Sequence, residues 1–166
     1  KIYKCDLSDE PRLDRVRDLF LIGCCTGLRF SDLSLLSSDN IDNVESVITI
    51  KTVKTGRTVV IPLHAIVRQI LQKYDNELPR VPSNQKFNDY IKEIAKKAEI
   101  NEPILLQSTK GTLTYAEPKP KYDLVTSHTA RRSFATNAYL AGLPPISIMK
   151  ITGHKTESSF MKYIKI

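Results

Sequence analysis

The sequence contains few of the residues that cross-link small secreted proteins. It has three cysteines, Cys5, Cys24 and Cys25, an odd number without the paired spacing of a disulfide framework or a metal motif. Cys24 and Cys25 stand together in the apolar run 19–25, where small buried side chains in a reducing compartment are the simpler interpretation.

Histidine is equally scarce. His64, His128 and His154 are too far apart to form a local ligand pair, and no suitable cysteine or acid cluster joins them. Because zinc sites use ligands grouped at short spacings, we predict no metal site. His64 follows Pro62-Leu63 and is interpreted as a surface or helix-capping residue.

The sequence also lacks a long hydrophobic run. Its longest apolar stretch falls well short of the roughly 20 residues that cross a bilayer, and its start, KIYKCD, lacks the apolar core of a signal peptide. We therefore predict a cytoplasmic protein without membrane contact. Because the chain begins without Met and ends three residues after Tyr163, we expect it to be a piece of a longer protein.

The composition is that of an ordinary folded protein. The chain has 166 residues, of which 41% are hydrophobic and 26% charged, which predicts one domain, residues 1–166, with a packed core. The 25 Lys and Arg exceed the 18 Asp and Glu, giving a formal charge of +7. This excess favours a polyanionic partner.

Apolar spacing predicts a mainly α-helical fold with a small antiparallel β-sheet or hairpin. The expected helices are residues 11–25, 29–36, 63–74, 84–98, 129–140, 144–151 and a last helix after Thr156 that carries Tyr163. Residues 44–53 and 58–61 are predicted to be the strands of a hairpin. Residues 102–122, which include Gly111 and three prolines, are expected to form short strands or a mobile loop. Ser127 and Thr156 are the expected caps of the helices they precede.

Several scattered cations suit chemistry on a phosphodiester. Catalysis of its cleavage without a metal needs fixed positive charges and an acid, and arginine can donate two parallel hydrogen bonds to phosphate oxygens. Arg29 follows Gly27 at a predicted helix start, and His128 and Arg131 share one face of another helix. Each residue taken alone also fits a solvated helix end, so the argument depends on their combination.

Two lysines near the hairpin are candidates for the general acid. Lys54 opens the turn Lys54-Thr55-Gly56, whereas Lys51 lies three residues earlier and, by strand alternation, on the other face. A solvated turn residue is the alternative role for Lys54.

Tyr163 is a candidate nucleophile, nine residues after His154. Neighbouring cations favour phenolate over phenol, and attack on a phosphate by a phenolate gives a covalent phosphotyrosine. Phe160 and Ile164 lie on the same side of the predicted helix, so core packing is the alternative role for Tyr163. His154 is interpreted as a hydrogen-bond donor to the phosphate.

The order and spacing of these residues resemble the tyrosine recombinases, also called phage-type integrases. The resemblance runs from about Leu19 to the end of the chain and depends on the combination of its motifs. These are Thr26-Gly27-Leu28-Arg29, Lys54-Thr55-Gly56, His128-Thr129-Ala130-Arg131 and Gly153-His154 followed by Tyr163. Residues 127–137 and 151–156 are especially similar to integrases of bacterial conjugative transposons.

The resemblance implies the fold of a helical tyrosine recombinase catalytic domain and a role for each matched residue. Tyr163 is the expected nucleophile, and Arg29 and Arg131 are expected to clamp the phosphate. Lys54 is preferred over Lys51 as the acid for the leaving group, because the family carries this residue on a mobile hairpin. The expected supporting residues are His128 and His154, for hydrogen bonding and proton transfer, and Asp32, which orients the site. The expected DNA contacts are Lys51, Arg57, Arg132 and Lys155.

The resemblance also implies a reaction. Family members cleave one DNA strand through a 3′-phosphotyrosyl bond and release a 5′-hydroxyl that attacks the partner duplex, without metal, ATP or other cofactor. Double-stranded DNA is the expected partner, in a bacterial cytoplasm and at the nucleoid when bound. Compared with the family, we expect the chain to lack the N-terminal core-binding domain and to be truncated in its C-terminal segment. We expect a tetramer on DNA for the full-length protein, and a monomer with weak DNA binding for this fragment.

Three alternatives remain open from the sequence. A type IB topoisomerase-like enzyme would share the strand-nicking chemistry. A non-catalytic helical module would use the basic surface to bind DNA phosphates, and a protein–protein adaptor would need no DNA.

Overall fold

The computed structural model describes residues 1–110 and 113–164 and is mainly helical, as predicted. The described helices are α1 (Pro11–Thr26), α2 (Phe30–Leu33), α3 (Ala65–Lys73), α4 (Asn84–Lys97), α5 (Ser127–Leu140), α6 (Pro145–Thr152) and α7 (Glu157–Met161). The strands are β1 (Ile41–Asp42), β2 (Val47–Lys51), β3 (Thr58–Pro62), β4 (Pro103–Lys110) and β5 (Leu113–Pro120).

Helix α1 is the centre of the core because it is apolar on two faces. Leu21 and Ile22 pack with buried residues of β2, β3 and α3. On the other face, Val16 and Phe20 pack against α4 and against Ala130 of α5. A third cluster joins α5, α6 and α7 around the fully buried Phe160.

A buried ionic network fixes α3 against α1. Asp18 is only 2% exposed, and its carboxylate accepts hydrogen bonds from Arg17, from Lys73 at 2.5 Å and from the Tyr74 hydroxyl at 3.0 Å. A buried carboxylate is tolerated when its oxygens are paired in this way.

The first sheet carries the predicted hairpin. Its strand order is β1-β2-β3, all antiparallel, and β2 pairs with β3 in a register that places Lys51 opposite Thr58. Burial alternates along both strands, so one face covers α1 and α3. The six-residue connection 52–57 projects beyond the sheet and carries Lys54.

The segment 102–122, predicted to form short strands or a mobile loop, contains two strands of eight residues each. Strands β4 and β5 pair antiparallel over their full length, from Pro103 opposite Pro120 to Lys110 opposite Leu113. Proline lacks a backbone donor, but a two-stranded ribbon has an outer edge on each strand where no donor is needed. Gly111 lies outside the described residues.

Three local predictions are wrong. Helix α2 ends at Leu33, because apolar residues spaced by three also fit the consecutive tight turns that follow, in which the N–H of Leu36 donates to the Leu33 carbonyl. Thr126, not Ser127, is the N-cap of α5, and the Ser127 N–H instead donates to Asn88 of α4 at 2.8 Å. Tyr163 lies beyond the end of α7, in a turn closed by its N–H and the Phe160 carbonyl.

The predicted cap of α7 is confirmed, since Thr156 Oγ1 accepts from the N–H of Ser159 at 3.2 Å. His64 caps α3, with its Nδ1 accepting from the N–H of Ile66 at 3.1 Å. Both side chains therefore accept hydrogen bonds from backbone N–H groups that have no partner within their own helix.

Candidate active site

Arg131 connects the end of α1 to the start of α5. Its side chain is 3% exposed, and Nη1 donates to the carbonyl of Gly27 at 2.5 Å. Gly27 has φ +67, and a Cβ there would lie 2.3 Å from the Phe134 ring, so only glycine fits this turn. The turn directs the following chain into Arg29, the N-terminal cap of α2.

The electrostatics of Arg131 reflect burial and a neighbouring cation. Burial, and then the positive charge of Arg29, lower the pKa of Arg131 to about 10, while Tyr163 and Asp32 oppose the shift. Arg131 is therefore still protonated at neutral pH. Among residues 1–110 and 113–164, no hydrogen-bond partner is found for the Arg29 side chain, which leaves its fork available to an anion.

Tyr163 and His128 are in direct contact. The Tyr163 hydroxyl lies 2.5 Å from His128 Nε2, although the two residues are 35 positions apart in the chain. Burial, followed by the charges of Arg131, Arg132 and Arg29, lowers the pKa of His128. The imidazole is therefore neutral at neutral pH and can accept the proton of the tyrosine hydroxyl.

His154 lies on the other side of Tyr163. The two ring centres are 4.5 Å apart with the planes inclined at 69°, an edge-to-face arrangement. The backbone turn before His154 also approaches Arg29, since a Cβ on Gly153 would lie 3.6 Å from both Nη atoms. Arg29, Arg131, His128, His154 and Tyr163 thus converge on one place.

Thr152, which the sequence did not single out, controls the ring of His154. Thr152 is fully buried, and its Oγ1 lies 2.7 Å from the Ile148 carbonyl and 2.7 Å from His154 Nδ1. A hydroxyl has one proton, so when it donates to Ile148 it accepts from the Nδ1–H of His154. Nε2 of the neutral ring is then an acceptor, and it becomes a donor when His154 is protonated.

The pKa of His154 predicts how stability depends on pH. Burial, then the charges of Arg131, Arg29 and His128, lower this pKa from 6.5 to about 4, so the unfolded chain binds more protons between these values. The contribution of His154 to the free energy of unfolding is present above pH 6.5 and is lost as the pH falls toward 4. Urea denaturation across this range should show a shallower pH dependence for His154→Asn than for wild type.

The control for this titration is Thr156→Asn, which changes a nearby residue without removing a titratable group and keeps a side chain that can cap α7. It should leave the pH dependence of unfolding unchanged. Identical slopes for wild type and His154→Asn would contradict the lowered pKa.

Asp32 joins the Arg29 segment to the hairpin that carries Lys54. Its side chain is 1% exposed, and Oδ1 accepts from the N–H of Val53 at 2.8 Å. The other oxygen, Oδ2, is buried and has no partner within the described part of the chain. A carboxylate on α2 therefore holds the residue directly before Lys54.

Lys54 faces the same cavity as the arginines. This cavity has a volume of about 430 Å³, and its lining includes Arg29, Lys54, His128 and Arg131. Lys51 ends β2 and does not line it. The geometry therefore favours Lys54 over Lys51 as the lysine nearest the converging residues.

A second cavity, of about 530 Å³, adjoins the first along Arg29. Its lining includes the basic residues Arg57, Lys150 and Lys155 beside Arg29 and His154. Of the expected DNA contacts, Arg57 and Lys155 line it, whereas Lys51 and Arg132 line neither cavity. Lys150, in the last turn of α6, was not named from the sequence, where only its position four residues before His154 distinguishes it.

The sequence also raised the questions of reactive cysteines, a metal site and a membrane span. Burial raises the pKa of Cys24 to about 12 and that of Cys25 to about 11, so both thiols stay protonated and unreactive. In the described ranges, no group of three His, Cys, Asp or Glu side chains is arranged to hold a metal ion. None of the helices described is long and apolar enough to span a bilayer.

The model of the phage integrase family matches residues 6–166. The chain therefore belongs to this family, that of the tyrosine recombinases. No curated protein sequence gives a significant match.

Solved structures of recombinases have the same fold. A Tn1549 transposon integrase fragment in complex with a circular intermediate DNA superposes with a TM-score of 0.69 at 20% identity, over 96% of this chain and 57% of that one. XerA recombinase gives 0.65 at 20% identity, over 96% and 55%. XerH site-specific recombinase, bound to a palindromic difH substrate, gives 0.70 at 18% identity, over 99% and 45%. This chain spans about half the length of each of these proteins.

Proposed function

We propose that this chain is the catalytic domain of a site-specific DNA recombinase that cleaves and rejoins DNA through a 3′-phosphotyrosyl intermediate. The observation that carries the proposal is the contact between the Tyr163 hydroxyl and His128 Nε2 at 2.5 Å, beside two arginines. A nucleophile within reach of a base, next to fixed cations, is the arrangement that phosphoryl transfer by a tyrosine requires.

The proposed first step breaks one phosphodiester bond and forms another. The Tyr163 oxygen bonds to phosphorus as its proton passes to His128 Nε2. The bond from phosphorus to the 5′ oxygen breaks, and Lys54 gives that oxygen a proton. The products are a 3′-phosphotyrosine and a 5′-hydroxyl, and attack by a 5′-hydroxyl from a second duplex reverses the step with exchanged strands.

The remaining residues stabilise charge on the phosphate. Arg29 and Arg131 line the cavity that receives it and would neutralise the non-bridging oxygens as negative charge develops. A bound phosphate favours the protonated form of His154, which then donates from Nε2. The phosphotyrosyl bond conserves the energy of the broken bond, so the proposed reaction needs no metal, ATP or other cofactor.

The proposed partner is double-stranded DNA in a bacterial cytoplasm. Three observations support DNA as the partner: the +7 charge, the cationic lining of both cavities and structural neighbours determined with DNA. We further propose that recombination requires a longer protein assembled as a tetramer on DNA, and that the chain alone binds DNA as a monomer. Lys51 and Arg132 are proposed as contacts outside the two cavities.

A suicide substrate tests the proposal. A duplex nicked a few nucleotides to the 3′ side of the cleavage point loses, by diffusion, the short fragment that carries the new 5′-hydroxyl, so the phosphotyrosyl protein accumulates. We expect a covalent adduct whose phosphonucleotide maps to the peptide containing Tyr163 by mass spectrometry. DNA binding that weakens with salt but never gives an adduct would instead support the non-catalytic module. Relaxation of supercoiled DNA without sequence preference would support the topoisomerase.

The role of Lys54 predicts a dependence on the leaving group. Lys54→Ala should slow cleavage of an ordinary duplex on the order of 10²–10³-fold. A duplex with sulfur in place of the bridging 5′ oxygen should be cleaved at close to the wild-type rate, because a thiol is already acidic, with a pKa of about 8.5, and leaves without a proton. Single-turnover rates on the two duplexes measure the effect.

Lys51→Ala is the matched control for this experiment. It removes the same charge from the same hairpin and should cleave both duplexes at nearly equal rates. The acid role would be assigned to Lys51 if Lys51→Ala cleaved only the sulfur duplex at the wild-type rate and Lys54→Ala cleaved both duplexes at that rate.

Asp32→Ala should show the same dependence on the leaving group to a smaller degree. The variant loses the hydrogen bond to Val53, which frees the hairpin and lowers the fraction of molecules with Lys54 in place. We expect Asp32→Ala to cleave the oxygen duplex about tenfold more slowly than wild type, and to recover most of the lost rate on the sulfur duplex. Equal losses on both duplexes would show that Asp32 does not act through Lys54.

A further inference from the structure

The first turn of α5 is attached to α4 by the side-chain amides of two asparagines. Ser127 is the first residue of α5, and its N–H donates to Oδ1 of Asn88 at 2.8 Å. A second hydrogen bond joins the Ser127 hydroxyl to Oδ1 of Asn84 at 3.2 Å. His128, the proposed acceptor of the Tyr163 proton, is the next residue of α5. The two asparagines therefore hold the residue directly before the proposed base.

The orientation of both amides follows from one backbone donor. A backbone N–H can only donate, so Asn88 presents its oxygen to Ser127 and turns Nδ2 toward Asn84, which lies one helical turn earlier on the same face of α4. Asn88 Nδ2 lies 3.4 Å from Asn84 Oδ1. The three side chains thus close a ring of three hydrogen bonds. Neither amide can flip in this ring without bringing two donors together.

The ring satisfies a donor that α5 cannot satisfy from within. The N–H groups in the first turn of a helix have no partner in that helix. The side chain of the N-cap residue Thr126 accepts from the N–H of Thr129, and Asn88 provides the acceptor for Ser127. Loss of the Asn88 oxygen would leave a partly buried donor without a partner, which favours opening of the first turn.

The remainder of α5 is held by the core and not by this ring. Ala130 is buried against α1, with its Cβ 3.0 Å from the position that a Cβ on Gly23 would take. Arg131 is 3% exposed and is fixed by its hydrogen bond to the end of α1. His128, in contrast, is exposed and touches Tyr163 edge to face, with the ring centres 5.4 Å apart. Opening of the first turn should therefore displace His128 and leave Arg131 in place.

We propose that Asn88, supported by Asn84, is a positioning residue for His128. The amide ring fixes the first turn of α5, so that His128 Nε2 stays 2.5 Å from the Tyr163 hydroxyl, within reach of the proton that it accepts. A base displaced by about 1 Å loses much of its effect on the rate. The inference rests on the proposed function, and it adds α4 to the elements on which the proposed reaction depends.

Asn88→Leu tests this role, because leucine has the same branched shape and cannot accept a hydrogen bond. At saturating suicide substrate we expect the variant to form the Tyr163 adduct about tenfold more slowly than wild type. The DNA concentration that gives half of the maximal rate should change little, because the arginines of the proposed active site stay in place. Single-turnover rates over a range of DNA concentrations give both values.

Two further variants are the controls. Asn88→Asp keeps an oxygen for the Ser127 N–H and should restore the rate at saturating DNA to within about twofold of wild type. Gln85→Leu removes an exposed amide from the first turn of α4, outside the lining of the cavity of Arg29 and Lys54, and should react at the wild-type rate. A wild-type rate for Asn88→Leu, or an Asn88→Asp variant as slow as Asn88→Leu, would overturn the proposal.

A double-mutant cycle with His128→Ala separates positioning from a general loss of structure. If Asn88 acts through His128, Asn88→Leu should slow the wild-type protein but have little further effect when His128 is already alanine. A loss of the same factor in both backgrounds would show that Asn88 stabilises the fold without positioning His128, and would overturn the proposal.

Amide hydrogen exchange in the free protein makes the result separable from that of the proposed function. The Ser127 N–H should exchange on the order of tenfold faster in Asn88→Leu than in Gln85→Leu, whereas the N–H of the buried Ala135 should be unchanged. Equal exchange of the Ser127 N–H in the two variants would reject the positioning role alone. Faster exchange in Asn88→Leu, together with a wild-type protein that forms no adduct, would reject the recombinase chemistry alone.

Discussion

Tyr163→Phe is expected to abolish the covalent DNA adduct, with a loss on the order of 10⁴-fold or more, because the variant has no oxygen to attack phosphorus. The folded state should change little. The hydroxyl contacts His128 Nε2 at 2.5 Å, but the ring is only partly buried and keeps its edge-to-face contact with His154. DNA binding should therefore remain, and denaturing gels with a labelled suicide substrate measure the loss of adduct directly.

Tyr139→Phe is the matched control. Tyr139 also lies near the C-terminal helices, with its ring centre 6.5 Å from that of Phe160, but it does not line the cavities of the proposed active site. It should form the adduct at the wild-type rate. An adduct that persists in Tyr163→Phe would assign the nucleophile to another residue.

The pairing of Tyr163 with His128 shows what the sequence could not supply. Both residues were named from motifs, but the motifs contain no distance between them. The contact arises because Phe160, fully buried between α5, α6 and α7, fixes the turn that follows α7. The packing of one aromatic residue in the core thus positions the proposed nucleophile. The predicted last helix was too long because apolar periodicity in such a short segment does not show where the helix ends.

The long helices were predictable because they combine periodicity with clear ends. Helix α1 begins at Pro11, suited to a first turn, and ends at Gly27 in the left-handed conformation. Helix α4 follows the capping residue Ser83, whose Oγ accepts from the N–H of Lys86. Local signals of this kind need no knowledge of the rest of the fold.

The hydrogen bonds that support the proposed active site could not be predicted, because they join residues that are far apart in sequence. The hydrogen bond from Val53 to Asp32 joins residues 21 positions apart, and the hydrogen bond from Arg131 to the Gly27 carbonyl joins residues 104 positions apart. The motifs contain no information about these partners, which only the folded chain brings together.

Arg29→Ala is expected to slow adduct formation on the order of 10²–10³-fold, the cost of removing one preorganised donor to a transition state. Stability should be nearly unchanged, because no hydrogen bond of the Arg29 side chain is found in residues 1–110 and 113–164. The charge of Arg29 lowers the pKa of His154. The variant should therefore also show a higher His154 pKa, measured by NMR titration of the imidazole protons.

Arg57→Ala is the control, since Arg57 lines the adjoining cavity of about 530 Å³ but not the cavity that Arg29 shares with Lys54, His128 and Arg131. It should weaken DNA binding at high salt and leave the rate at saturating DNA intact. Arg29→Lys keeps the charge but not the two-pronged donor, so the pKa of His154 should stay low while cleavage remains slow. Full cleavage by Arg29→Lys would show that Arg29 acts only through its charge, and full cleavage by Arg29→Ala would remove it from the phosphate clamp.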